Sequence, residues 1–366
     1  MARKLKSDRI LFLTTVVLVG LSILMVYSAS VAIARERWED PYRFLTKQAM
    51  WAALGMALLG IVMRINYLMY RRPAFIWTSL AGVTVCLIAV LFMPAHNKAH
   101  RWLGFGGLGI QPSEFAKLVA IIFTAALLER RMDRINEVRY ALAPIAVVVG
   151  GLIALILPQP DLGTAVSLGL IVAAMVLAAG LSYVYAIGTL AAAVPAVAAL
   201  VIFFPYRQRR MTAFLNPWAD QLGDGYQIIQ SLIAVGTGGI WGRGLMNGVQ
   251  KLFYLPEAHT DFIYAVIAEE FGLLGATVLL IGFAIIAWRG LRIALRAPDS
   301  FGAFLALGLT MMVVVQAFVN ISVVLGLMPT KGIPLPFVSF GGSSLLVNFI
   351  GMGVLLNVSQ HASSET

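Results

Sequence analysis

Charge is scarce in this chain. Of its 366 residues only 12% are Asp, Glu, Lys or Arg, while 60% are hydrophobic. A soluble domain carries about 25% charged residues. No water-soluble core hides that much apolar surface, so lipid must be the solvent for most of it. Cysteine is nearly absent. Cys86 stands alone inside an apolar run, which excludes an intrachain disulfide and leaves the redox compartment open. The four histidines, His96, His100, His259 and His361, lack metal-ligand spacing, and there is no His-Glu-x-x-His, no cysteine pair and no P-loop. A metal motif and nucleotide-driven pumping are therefore not expected. There is no internal repeat, no low-complexity tract and no separate soluble domain.

Basic residues are in excess, giving a net charge of +10. They fall in short clusters between apolar runs, which reads as topology signals and headgroup contacts rather than as a nucleic-acid surface. A membrane span needs about 20 mostly apolar residues. Ten stretches qualify as candidates: 10–31, 46–64, 74–94, 111–128, 140–157, 162–180, 183–204, 262–288, 302–328 and 342–358. The first is too long for the apolar core of a cleaved signal peptide. Spans six and seven are separated only at Gly180–Leu181–Ser182. The expected fold is all-α, a polytopic membrane domain of about ten helices over the whole of 1–366.

Arg3, Lys4, Lys6 and Arg9 precede span one, and Arg64, Arg71 and Arg72 follow span two. Arg130, Arg131, Arg134 and Arg139 follow span four, and Arg289, Arg292 and Arg296 follow span eight. These loops share one side, taken as cytoplasmic. Arg35, Arg37, Arg43, Lys47, Lys98, Arg101 and Lys331 fall on the other side, with more in one long loop, so the bias is modest. An even span count puts both termini inside. The long stretch 205–261 between spans seven and eight then lies outside. Its apolar segments, among them a helix-compatible run from Tyr226 to Val235, indicate that it lies on the membrane face or re-enters the bilayer edge.

Ionisable groups inside spans are costly and functional by default. Glu114 and Lys117 lie three apart at the start of span four and share a helix face. Two readings stand: an internal ion pair that lets the helix insert, or a polar wall facing a cavity. Arg101–Trp102 upstream is an interfacial anchor or an anionic-headgroup contact. Asp161 opens span six and reads first as an N-cap. Glu257, His259 and Asp261 crowd the start of span eight. A cap explains Asp261 alone, whereas a carboxylate at a partly dry interface has a raised pKa suited to a general base. Glu269 and Glu270 follow roughly 12–14 Å deeper, and two adjacent acids cannot both face lipid, which predicts an internal polar chamber. Lys331 precedes a proline-rich coil and Gly341–Gly342–Ser343–Ser344, a candidate anion site.

Taken in order, these motifs resemble the SEDS family (shape, elongation, division and sporulation) along nearly the whole chain. The resemblance rests on Met25–Val26–Tyr27–Ser28–Ala29–Ser30, Arg101–Trp102, Gln111–Pro112–Ser113–Glu114 and Pro160–Asp161–Leu162–Gly163–Thr164. It continues through Phe214–Leu215–Asn216–Pro217–Trp218, Gly225–Tyr226–Gln227, Gln250–Lys251, Tyr254 to Phe262 and the 331–344 block. Trp218, Gln227 and Gln250–Lys251 favour the division branch over the elongation branch.

The resemblance implies a ten-span peptidoglycan glycosyltransferase of the inner membrane, working at the septum. Its implied substrate is lipid II, and its implied partners are a class B penicillin-binding protein and other division-complex membrane proteins. Asp261 matches the family's essential aspartate, and Glu114 and Lys117 match its cavity pair. An inverting displacement with Asp261 as base would leave undecaprenyl pyrophosphate, neutralised by Arg101, Arg207, Arg210, Lys331 or a divalent cation such as Mg or Mn. Rival readings are a lipid II flippase, which would use the intramembrane acids as a relay, and a non-catalytic scaffold.

Overall fold

The structure is a computed structural model that describes residues 7–93, 101–104 and 109–362. Lys98, His96 and His100, and the basic residues Arg3, Lys4 and Lys6, lie outside the described residues. The chain is helical. The helices are α1 (Arg9–Trp38), α2 (Arg43–Val62), α3 (Pro73–Leu91), α4 (Pro112–Arg131), α5 (Ala143–Ile156) and α6 (Leu162–Ala178). They continue with α7 (Tyr183–Ile202), α8 (Pro205–Leu215), α9 (Tyr226–Gly238), α10 (Ile263–Leu295), α11 (Ser300–Val324) and α12 (Gly342–Ser359). Ten of them occupy the ten predicted stretches. Among the described residues, seven helices are by length and composition long and apolar enough to cross a membrane. Large apolar side chains such as Phe92, Val147, Tyr183 and Leu295 stay exposed on helix surfaces, as lipid-facing residues do.

The departures from the predicted spans have local causes. Helix α1 runs on to Trp38, past the predicted end at 31, and stops where Glu39 turns left-handed at φ 55°. Helices α6 and α7 part at Gly180, whose φ of 94° suits glycine. Helix α4 is less apolar than the other bundle helices because it is the central one. Protein surrounds it on nearly every side, so Glu114 and Lys117 meet partners and not lipid.

The loop 205–261 is not a plain loop. It folds into α8, a short turn at Pro217–Asp220, and α9, whose Ser231 Oγ donates to the Val324 carbonyl of α11 at 2.7 Å. Helix α10 has 33 residues, about 50 Å at helical rise, against a hydrocarbon core of about 30 Å. It breaks at Gly272 (φ 65°, ψ −161°). Segment 239–244 runs alongside the break: Arg243 N donates to Glu269 O at 3.0 Å, Gly244 N to Glu270 O at 2.9 Å and Leu273 N to Gly239 O at 2.9 Å. A Cβ on Gly242 would lie 2.2 Å from the Glu270 carbonyl oxygen, so only glycine admits this approach.

The connections sort into two faces. On one, Asp8 pairs with Arg289 at 2.5 Å and its N–H donates to Ser359 Oγ at 3.1 Å, while Asn357 donates to the Met63 carbonyl at 2.7 Å. The starts of α4, α6, α10 and α12 meet on the other face, together with the long loop.

Candidate functional site

Four helix starts converge, and hydrogen bonds fix how they meet. Gln111, just before α4, donates its backbone N–H to Ser343 Oγ at 2.9 Å and its side-chain amide to Asp161 Oδ2 at 3.0 Å. Ser343 Oγ in turn donates to Gly109 O at 3.2 Å. The Ser343 hydroxyl, predicted as part of an anion site, is thus buried and bonded to protein on both sides.

Asp161 is the N-cap of α6: its Oδ1 accepts from Thr164 N at 3.1 Å. Its Oδ2 also accepts from Ser113 Oγ at 3.2 Å. Gly163 follows, and a Cβ there would lie 2.8 Å from Ile333 Cγ1 and 3.8 Å from Lys331 Cβ. Glycine at that position lets the 331–333 segment lie directly against the head of α6. Arg101 reaches across to the end of α5, with Nε donating to Gln159 O at 2.8 Å and Nη2 donating to Pro160 O.

Asp261 is placed differently from Asp161. The N-cap of α10 is Phe262, with no side-chain cap bond. Among the described residues nothing donates a hydrogen bond to the Asp261 carboxylate, so it is not spent on a cap. Gly332 runs beside it: a Cβ there would lie 3.0 Å from Asp261 Oδ2. Burial and the nearby Glu257 carboxylate push the Asp261 pKa up to about 7, against opposing pulls from Arg210 and Arg101. An acid poised near neutrality and free of hydrogen-bond partners is equipped to take a proton.

Arg210 and Arg101 are the cations that act on this carboxylate. Arg210 on α8 donates to the Thr330 carbonyl at 2.9 Å, and Arg207 reaches the Leu157 carbonyl at 3.4 Å. Burial lowers the pKa of both Arg207 and Lys331. Thus α8 lays its arginines over the end of α5 and the coil after α11, and with Arg101 and Lys331 they make a basic rim from three separate segments.

His259 and Glu257 play different parts. The His259 ring packs against Phe44 at 4.5 Å between centroids and Phe340 at 5.8 Å, and its carbonyl accepts from Phe340 N at 3.0 Å. Burial lowers its pKa, against an opposing pull from Glu257. Glu257 is exposed at φ 55°, and its Oε2 accepts from Thr260 Oγ1 at 2.9 Å.

Glu114 and Lys117 pair at 2.9 Å and are both buried. Lys117 Nζ also donates to Gln316 Oε1 at 2.9 Å. All three groups are bonded to protein. The predicted chamber at Glu269 and Glu270 needs correction. Neither acid faces lipid, but no open chamber surrounds them, because the long loop fills the space. Glu269 accepts from Val249 N at 2.8 Å and Gln250 N at 3.2 Å. Glu270 accepts from Ser28 Oγ at 2.6 Å, from Met246 N at 3.1 Å and from Lys251 Nζ. Ser28 and Lys251, far apart in sequence, thus meet at one buried carboxylate.

Gln316 and Asn320 on α11 were not foreseen as site residues. Asn320 Nδ2 donates to Asp261 O and to Ile333 O, each at 2.7 Å. The available signal was an amide side chain in an apolar span. Ser339, also unforeseen, accepts from Leu335 N at 2.8 Å and donates to Thr260 O.

Asp161 and Glu257 are the acids acting on Asp261, and both are bonded to protein as above. No group of three acid, histidine or cysteine side chains gathers among the described residues. The donor set does not fit a cation held by this chain.

The comparisons agree with this architecture. The family model of FtsW/RodA/SpoVE cell cycle proteins matches residues 8–364. A probable peptidoglycan glycosyltransferase FtsW of Geobacter metallireducens is 43% identical over 358 residues, covering 97% of this chain and 95% of the relative. Stage V sporulation protein E of Bacillus subtilis is 40% identical over 366 residues, with 98% and 99% covered. Among solved structures, a chain of a peptidoglycan synthase complex that coordinates polymerization and crosslinking superposes at a TM-score of 0.79. It has 30% identity, with 98% and 99% of the two chains covered. The rod shape determining protein RodA of Thermus thermophilus gives 0.72 at 27% identity, with 98% of each chain covered.

Proposed function

This chain belongs to the FtsW/RodA/SpoVE family of cell cycle proteins, and we propose that it is a peptidoglycan glycosyltransferase that polymerises lipid II during septal wall synthesis. The observation that carries the proposal is Asp261. Among the described residues nothing donates a hydrogen bond to its carboxylate, its pKa is raised to about 7, and Arg210 and Arg101 act on it.

The proposed chemistry follows from the arrangement. A sugar 4-hydroxyl attacks the anomeric carbon of a lipid-linked glycan, and Asp261 takes the hydroxyl proton as the new C–O bond forms. Attack from the face opposite the leaving group inverts the α-linkage to a β-1,4 bond. The departing pyrophosphate carries the bonding electrons away, and Arg101, Arg207, Arg210 and Lys331 would stabilise that charge.

Placement in the inner membrane with both termini in the cytoplasm puts this rim outside, where the wall is built. A class B penicillin-binding protein is the proposed partner, in line with the synthase complex among the similar structures. A transporter would need mobile intramembrane acids, whereas Glu114, Glu269 and Glu270 are each bonded to protein.

The test is to supply labelled lipid II to the protein purified with its partner synthase. Polymeric glycan supports the proposal. No polymer, with lipid II crossing the bilayer of liposomes, favours a flippase.

A further inference from the structure

Asn320 sits in the second half of α11 and is buried. Its single amide nitrogen bonds two carbonyls, of Asp261 and Ile333, each at 2.7 Å. Those carbonyls belong to the two segments that wall the recess: the end of the long loop and the coil carrying Lys331 and Gly332. An amide donates two hydrogens, so both are committed to holding these segments together.

Gln316 lies one turn earlier on the same face of α11. Its Nε2 donates to Pro334 O at 2.9 Å and to Ser344 Oγ at 3.2 Å, and its Oε1 accepts from Lys117 Nζ at 2.9 Å. Lys117 is fixed in turn by both oxygens of Glu114, at 2.9 and 3.0 Å. The bonds lead from a buried ion pair in α4, through the 333–334 coil, to the backbone of Asp261. Packing alone does not call for such a polar stripe inside a membrane bundle, where each unpaired group is costly.

We propose that Asn320, braced by Gln316 and the Glu114–Lys117 pair, is a positioning residue that sets where the Asp261 carboxylate stands relative to the basic rim. This rests on Asp261 being the base. The charges acting on Asp261 come from four places: Glu257 in its own loop, Arg210 on α8, Arg101 before α4 and Asp161 at the head of α6. Lys331 borders it through Gly332. A small shift of the Asp261 backbone changes all of these distances together. A misplacement near 1 Å can cost about 100-fold in rate.

The experiment uses the full chain with its partner synthase and labelled lipid II, from about pH 5 to 9. Turnover per folded enzyme and half-saturating lipid II are measured for wild type, Asn320→Leu, Gln316→Leu and Asp261→Asn. Asn320→Leu keeps the volume and removes both donors. It is expected to lower saturated turnover about 10- to 100-fold, to leave half-saturation within about two-fold and to displace the acidic limb of the pH profile. Gln316→Leu is expected to do the same more weakly, and it decides the matter if Asn320→Leu does not fold. Wild-type turnover, or lower turnover with an unmoved acidic limb, would overturn the positioning role. An active Asp261→Asn enzyme would instead remove the base assignment itself. The two failures are therefore distinguishable.

Discussion

A Cβ on Gly332 would sit 3.0 Å from Asp261 Oδ2. The glycine leaves room on that side of the carboxylate, and the coil cannot move away because Asn320 holds Ile333 at 2.7 Å. Gly332→Ala should therefore push the carboxylate aside and lower lipid II turnover about ten-fold or more. Gly150→Ala in α5, where a Cβ meets nothing within 4 Å, should leave turnover unchanged. Equal activity of both variants would show that the recess tolerates a methyl group.

The raised Asp261 pKa of about 7 gives two pH effects of opposite sense. A base must be ionised, so turnover should fall about ten-fold per pH unit below 7. Stability runs the other way. The folded pKa lies above the ordinary carboxyl value of 3.8, so the contribution is full below about 3.8 and is lost as pH rises through about 7. Asp261→Asn should raise the melting temperature at pH 8 and not at pH 4. A melting difference independent of pH would contradict the assigned pKa.

Glu270 anchors the loop through Lys251 and Met246 and ties it to α1 through Ser28. Removing one member of a buried ion pair costs about 3–5 kcal/mol because the other charge stays unpaired. Lys251→Met should therefore destabilise strongly, and amide exchange across 239–251 should accelerate. The double variant Lys251→Met, Glu270→Leu should recover part of the loss. No difference between single and double variants would show that the pair is not coupled.

Most of the bundle was legible because apolar run length reports directly on bilayer crossing, and the Asp161 cap and the Gly180 break are local signals. Other features depended on distant partners. Glu269 and Glu270 read as a chamber because their partners lie 19 to 24 residues away in the loop that returns to them, or in α1. Asn320 was invisible because an amide in an apolar helix does not say what it bonds, and its acceptors lie 13 and 59 residues away. The cationic rim was legible residue by residue. Its assembly through α8, a helix carrying Arg207, Arg209 and Arg210, was not.

The placement of the site outside the cell depends on the long loop facing out. Leu222 is 91% exposed near the loop's tip. In a background lacking Cys86, Leu222→Cys should react with a membrane-impermeant thiol reagent in intact cells. Labelling only after permeabilisation would invert the topology and place Asp261 in the cytoplasm.

Asp261 as the proton acceptor is the claim on which the account depends. Its most direct measurement is glycan polymer formed from labelled lipid II by the wild-type complex and by Asp261→Asn, at equal folded enzyme and with lipid II binding checked. The account predicts polymer from wild type and none from the variant, with binding retained. Equal polymer from the two would contradict it.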